Sequence, residues 1–130
     1  MKIEGYTVDE ILNLPVNDIE ELVLINKPMV VSVGTAQVLG QFWVKHSRTL
    51  VVELAHIDGG GEGVLLAIQR IAKDICAKKN LEEMECLVYA VSCARPNMKL
   101  RAHLVKRGFE IKNVPHKGEV FYKVFDVSGT

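Results

Sequence analysis

Two kinds of apolar spacing run through this chain, and they predict its elements. Over residues 64–79, Leu65, Ile68, Ile71, Ala72 and Ile75 recur every three or four positions while Gln69, Arg70, Lys73 and Asp74 fall elsewhere, the pattern of a helix with one buried face. Other apolar residues come in blocks rich in valine and aromatics, which suit strands. Residues 29–33 and 36–45, parted by Gly34 and Thr35, read as an antiparallel hairpin, and His46 to Arg48 turn the chain again. The next block, TLVVELAHI over residues 49–57, is so apolar that it predicts a central strand covered on both faces.

Helix signals frame these strands. Thr7 with Glu10 makes a capping box for a short helix over residues 8–14, which Pro15 stops. Asn17 with Glu20 repeats the pattern, and Ile19, Leu22 and Val23 supply an apolar face up to about Asn26. Residues 84–93 read as another buried strand, 97–107 as a helix stopped by Gly108, and 110–114 with 119–125 as a closing strand pair. The resulting order, α-α-β-β-β-α-β-α-β-β, predicts a mixed α/β (α+β) fold forming one domain over residues 1–130.

Composition narrows the functional classes. With 130 residues, 48% of them hydrophobic, the chain can bury a sizeable core. Sixteen basic residues balance sixteen acidic ones, so no global field favours nucleic acid or an anionic membrane, although a local basic patch is compatible with that balance. No apolar run is long enough to span a bilayer, and the first residues lack the layout of a signal peptide, so a cytoplasmic location is expected. Cys76, Cys86 and Cys93 cannot all pair within one chain and form no C-x-x-C motif, which suits a reduced compartment. His46, His56, His103 and His116 have no metal-ligand spacing, and no metal site is expected.

Two segments carry a family resemblance. Asp58-Gly59-Gly60-Gly61-Glu62-Gly63 follows a strand and opens a helix, and Asn97 stands eleven residues before the Gly108-Phe109 pair. In this the chain resembles the GNAT superfamily, the acyl-CoA-dependent N-acyltransferases, over about residues 19–125. That family's pattern, Q/R-x-x-G-x-G/A, is met at Gly61 and Gly63 but not at Asp58. The resemblance implies a GNAT-like, mainly antiparallel central sheet with splayed middle strands, acetyl-CoA as cosubstrate, and direct transfer of its acetyl group to an amine of a small molecule or peptide within a ternary complex. Gly59, Gly60, Gly61, Glu62, Gly63, Val64 and Asn97 would then bind the cofactor. Glycines admit close approach of the backbone to a pyrophosphate, and the free N–H groups of a helix start favour its charge. Homodimers are common in that family, and residues 120–125 offer a strand edge for pairing.

Departures from the family pattern open a second reading. Asp58 and Glu62 put negative charge where a pyrophosphate would sit, and Leu104 occupies the position of the tyrosine that protonates the departing thiolate in many family members. Tyr89, Ser92 or Cys93 on the neighbouring strand are the candidate substitutes. Glu53, the only acid in an apolar strand, is the candidate general base, with burial expected to raise its pKa towards neutrality; the plainer alternative is a salt-bridged or outward-facing acid. His56 should face away from Glu53 on a regular strand. Gln41 and Trp43 are candidate acceptor contacts, Phe42 points to the other face, and a core role for Trp43 is the plain reading. The alternative to an enzyme is a catalytically silent GNAT-fold binding or interaction module.

Overall fold

The structure, a computed structural model, describes residues 2–3, 6–25, 27–33, 36–58, 61–89 and 98–127. Twelve elements follow one another among them: β1 (Lys2–Ile3), β2 (Tyr6–Thr7), α1 (Val8–Leu12), α2 (Val16–Leu22), β3 (Met29–Val33), β4 (Ala36–Lys45), β5 (Thr49–Asp58), α3 (Gly61–Lys79), β6 (Glu83–Val88), α4 (Met98–Lys106), β7 (Glu110–Val114) and β8 (Gly118–Asp126). The fold is mixed α+β, as expected. Strands β1 and β2 were not anticipated, because two-residue strands are too short to show an alternation.

The helix starts and stops have local causes. Pro15 both ends the first helical segment and stands as the N-cap of α2, its carbonyl accepting from the N–H groups of Asp18 at 3.0 Å and Ile19 at 3.1 Å. The expected capping role of Asn17 is therefore corrected: Asn17 lies inside α2, and no side chain caps it. Helix α1 is closed from outside, by Lys78 of α3, whose ammonium donates to the carbonyls of Leu12 (2.5 Å) and Leu14 (3.1 Å). Helix α4 ends as its sequence predicts. Gly108 adopts φ +88°, its N–H donates to the carbonyl of Val105 and that of Phe109 to the carbonyl of Leu104, a Schellman motif that joins Leu104 and Phe109 in the core.

One sheet has the strand order β2-β1-β3-β4-β5-β6-β8-β7, and every neighbouring pair is antiparallel except β5 with β6. A parallel pair needs a long crossover, and the 19-residue α3 supplies it. The expected dimer edge at residues 120–125 is corrected by this order. Strand β8 lies between β6 and β7, so β7 carries the edge on that side. The short β7 became the outer strand because β8 returns to pair with β6 from Glu83 to Val88.

The two faces of the sheet differ. Phe42, Leu50, Val52, Leu54, Met84, Cys86 and Val88 lie in the main core beneath Ile11, Ile19, Ile68, Ile71, Ile75, Leu100 and Leu104 of the four helices. The helical stripe foreseen in α3 is the one that is buried. On the opposite face Val51, Leu87 and Val120 form a smaller cluster bordered by Trp43, Tyr89, Val114 and Tyr122, with no helix residue among those described. Strand β5 is thus central but helix-covered on one face only, correcting the expectation of cover on both; its near-continuous apolar run reflects two different apolar clusters. Pairing of β5 with β6 extends through Leu54 and Val88, and the N–H of Tyr89 donates to the carbonyl of Leu54 at 2.8 Å. The splay expected between these strands around Glu53 is therefore corrected, since Glu53 pairs with Leu87; its expected extension to Cys93, with the continuation of the strand, falls on residues 90–97, outside the described residues.

Candidate functional site

The site forms where the smaller apolar cluster gives way to polar side chains, near the carboxyl end of the parallel pair. Alternation along β5 turns Leu50, Val52 and Leu54 to the helices, which leaves Val51 and Glu53 on the helix-free face. Glu53 stands opposite Gln41 of β4 and Leu87 of β6. Tyr89 directly follows β6, Trp43 lies two residues beyond Gln41 on β4, and Lys117 comes from the β7–β8 turn, 64 residues away in sequence.

These groups converge on one carboxylate. Glu53 is only 9% exposed. Its Oε2 accepts from Trp43 Nε1 at 2.8 Å, and its Oε1 accepts from Tyr89 OH at 2.7 Å and from Lys117 Nζ at 2.5 Å. Burial alone pushes the Glu53 pKa up, but the hydrogen bonds from Lys117, Tyr89 and Trp43, with the charge of Lys117, more than offset it, so the group lies below the usual glutamate range. The expectation of a raised, near-neutral base is corrected: three donors stabilise the ionised form more than burial disfavours it. Burial and the adjacent carboxylate hold Tyr89 above the usual tyrosine range, and the hydrogen bond from Lys117 to Glu53 raises the lysine.

An open cavity of about 360 Å³ adjoins the cluster, lined by Leu39, Gly40, Gln41, Ala55, Tyr89 and Lys117 with Glu53 in its wall. A neutral phenol beside an ionised carboxylate can give up a proton to an incoming or departing anion, and Lys117 can stabilise negative charge. At neutral pH Glu53 is ionised, and each of its oxygens already accepts a hydrogen bond.

The structure brings Glu53 and Tyr89 together, two of the three catalytic candidates from the sequence; Cys93, like Ser92, lies outside the described residues. Trp43 borders the smaller cluster rather than the main core, because its indole N–H is needed at Glu53, while Phe42 is fully buried under the helices. Gln41 lines the cavity. His56 belongs to β5 by its backbone, where the register shifts between the pairs Leu39–Ala55 and Gln37–Asp58, and its side chain lies outside what is described. Lys117 was missed. Flanked by Pro115, His116 and Gly118 it reads as an ordinary turn residue, and no local pattern signals a reach to β5.

Of the cofactor candidates, Gly61, Glu62, Gly63 and Val64 form the first turn of α3, so the helix starts three residues before the expected Val64. Glycine is tolerated there because the first-turn N–H groups need no helical partner. Gly59, Gly60 and Asn97 lie outside the described residues. Leu104, at the position where the resemblance would place a proton-donating tyrosine, is fully buried in the core. Cys76 and Cys86 are buried thiols, pushed up to about 11 and about 12, which makes them poor nucleophiles. Among the described residues no three His, Cys, Asp or Glu side chains gather as metal ligands, and no helix is long and apolar enough to cross a membrane. The chain matches no protein-family model and no curated protein.

Proposed function

We propose that this chain is a GNAT-like N-acetyltransferase that moves the acetyl group of acetyl-CoA to an amine of a small molecule or peptide by direct attack. The observation that carries this reading is the convergence of Glu53, Tyr89 and Lys117 beside an open cavity at the carboxyl end of the one parallel strand pair among the described strands. Ligands of open sheets bind at such ends, and the N–H groups of the α3 first turn, two residues beyond β5, suit a pyrophosphate. In the proposed reaction the amine nitrogen attacks the thioester carbonyl carbon and the C–S bond breaks. Tyr89, neutral at physiological pH, protonates the departing sulfur, and the proton shed by the new amide nitrogen returns through water to the Tyr89 oxygen. Glu53 holds the phenol in place, Lys117 balances its charge, and the acceptor attacks as the neutral amine.

Titration calorimetry with acetyl-CoA and with CoA tests the binding step, and amine-dependent loss of thioester tests turnover. Tyr89→Phe is expected to lower turnover by about a hundredfold with acetyl-CoA affinity nearly intact. Absence of binding at millimolar acetyl-CoA would sink the proposal. One observation favours a second reading, a catalytically silent GNAT-fold interaction module: Glu53 is already engaged by three donors, so it is a weak base and a structural link between four chain segments. Acetyl-CoA binding without turnover across an amine panel would select that reading.

A further inference from the structure

On the opposite face of the sheet from Glu53, a cavity of about 120 Å³ opens between α3 and α4. Its walls are apolar: Val52, Leu54, Met84, Leu104 and Phe109 are buried, and Phe125 is partly so. Its more exposed lining combines Leu66 and Gln69 of α3 with three basic residues, Arg107 just past the end of α4 and the half-buried His103 and Lys123. Among the described residues no aspartate or glutamate lines the cavity. This asymmetry extends along the helix: residues 98–109 include Lys99, Arg101, Lys106 and Arg107 and not one acid, in a chain of zero formal net charge.

We infer that this cavity binds a small carboxylate whose apolar tail has about six carbons, a short-chain or aryl carboxylic acid. Size sets the tail, since dry protein cavities of about 150 Å³ accept a benzene ring. Charge sets the head. Lys123 gives one N–H to the Arg107 carbonyl at 2.5 Å and sits over the Phe125 ring, 4.5 Å from its centroid, which holds its ammonium at the cavity wall with donors beyond the one committed to Arg107. Among the described residues the Arg107 guanidinium has no acidic partner, and its planar fork matches a carboxylate. Basic residues at a helix end also complement the helix dipole, but that role requires no cavity beside them. The inference does not rest on the acyl-transfer proposal: it uses none of Glu53, Tyr89 and Lys117, which lie on the other face of the sheet, and none of the first-turn N–H groups of α3.

The test is amide-resolved NMR titration of the full chain with sodium hexanoate, with hexan-1-ol and with acetate. Hexanoate is expected to shift the amides of Leu104, Phe109 and Lys123 with a dissociation constant on the order of 1 mM or tighter, and hexanol about tenfold weaker. Arg107→Gln, on an exposed side chain, should weaken hexanoate about tenfold and leave hexanol unchanged; Lys123→Gln should act in the same direction. Hexanol binding as tightly as hexanoate would overturn the inference. So would hexanoate shifts that fall outside the cavity, affinity unaltered in both variants, or an absence of saturable shifts.

Discussion

Strands β4, β5 and β6 present one alternating backbone to two unlike environments. Phe42, Val52 and Cys86 face the helices and are held by many weak contacts with the side chains above them. Trp43, Glu53 and Tyr89, each next to or near them in sequence, face the other side and are held by a few directed hydrogen bonds. The helix-covered face therefore derives stability from shape and buried area, which changes little with pH. The helix-free face derives it from one ionised carboxylate and its donors, which is sensitive to pH and to single-atom changes.

The largest expected effect lies on the helix-covered face. Phe42→Ala should destabilise by about 3–5 kcal/mol, because a fully buried ring is deleted from a closed core. Chemical denaturation would measure it, and a loss smaller than that of Trp43→Ala would break the contrast between the faces. Next comes Glu53. Its folded pKa lies below the unfolded value, so its contribution is present above the ordinary glutamate range and is lost as pH falls through the lowered value. Glu53→Gln should cost about 2 kcal/mol at neutral pH and progressively less on acidification below about pH 4. A cost independent of pH would mean that the network contributes through packing and not through charge.

Backbone constraint gives a smaller effect. Gly108→Ala should cost about 1–2 kcal/mol, since φ is +88° there and the added carbon would stand 3.4 Å from Lys123 Nζ. Equal thermal stability of variant and parent would argue against the Schellman end of α4. Smallest is Lys45→Ala, which removes the 2.5 Å pair with Glu85 on the helix-free face and should cost about 0.5 kcal/mol, fading at high salt. A salt-independent loss above that of Glu53→Gln would move the electrostatic centre of this face from Glu53 to Glu85.

Much of this architecture is legible in local pattern. The 3.6-residue stripe of α3, the alternation of β4, the three-residue turn at His46 to Arg48 and the glycine stop of α4 all follow from interactions within a few residues. Their signals stand in the sequence because each is local. The N-terminal strands carried too few residues to show one. Glu53 stood out as an acid in an apolar strand, and Tyr89 as a phenol on the next, but their contact depends on the parallel register of β5 and β6.

By itself, then, the sequence determined the identity and order of the main elements, the buried stripe of α3 and the oddity of Glu53. Tertiary structure alone decided that the helices crowd one face, that β7 and not β8 forms the edge, and that Lys117 crosses 64 residues to meet Glu53. The division has a physical cause. Periodicity and capping act between residues a turn or a pleat apart, whereas a carboxylate's pKa is set by whichever donors the folded chain brings within about 3 Å, and no spacing along the chain encodes which those are.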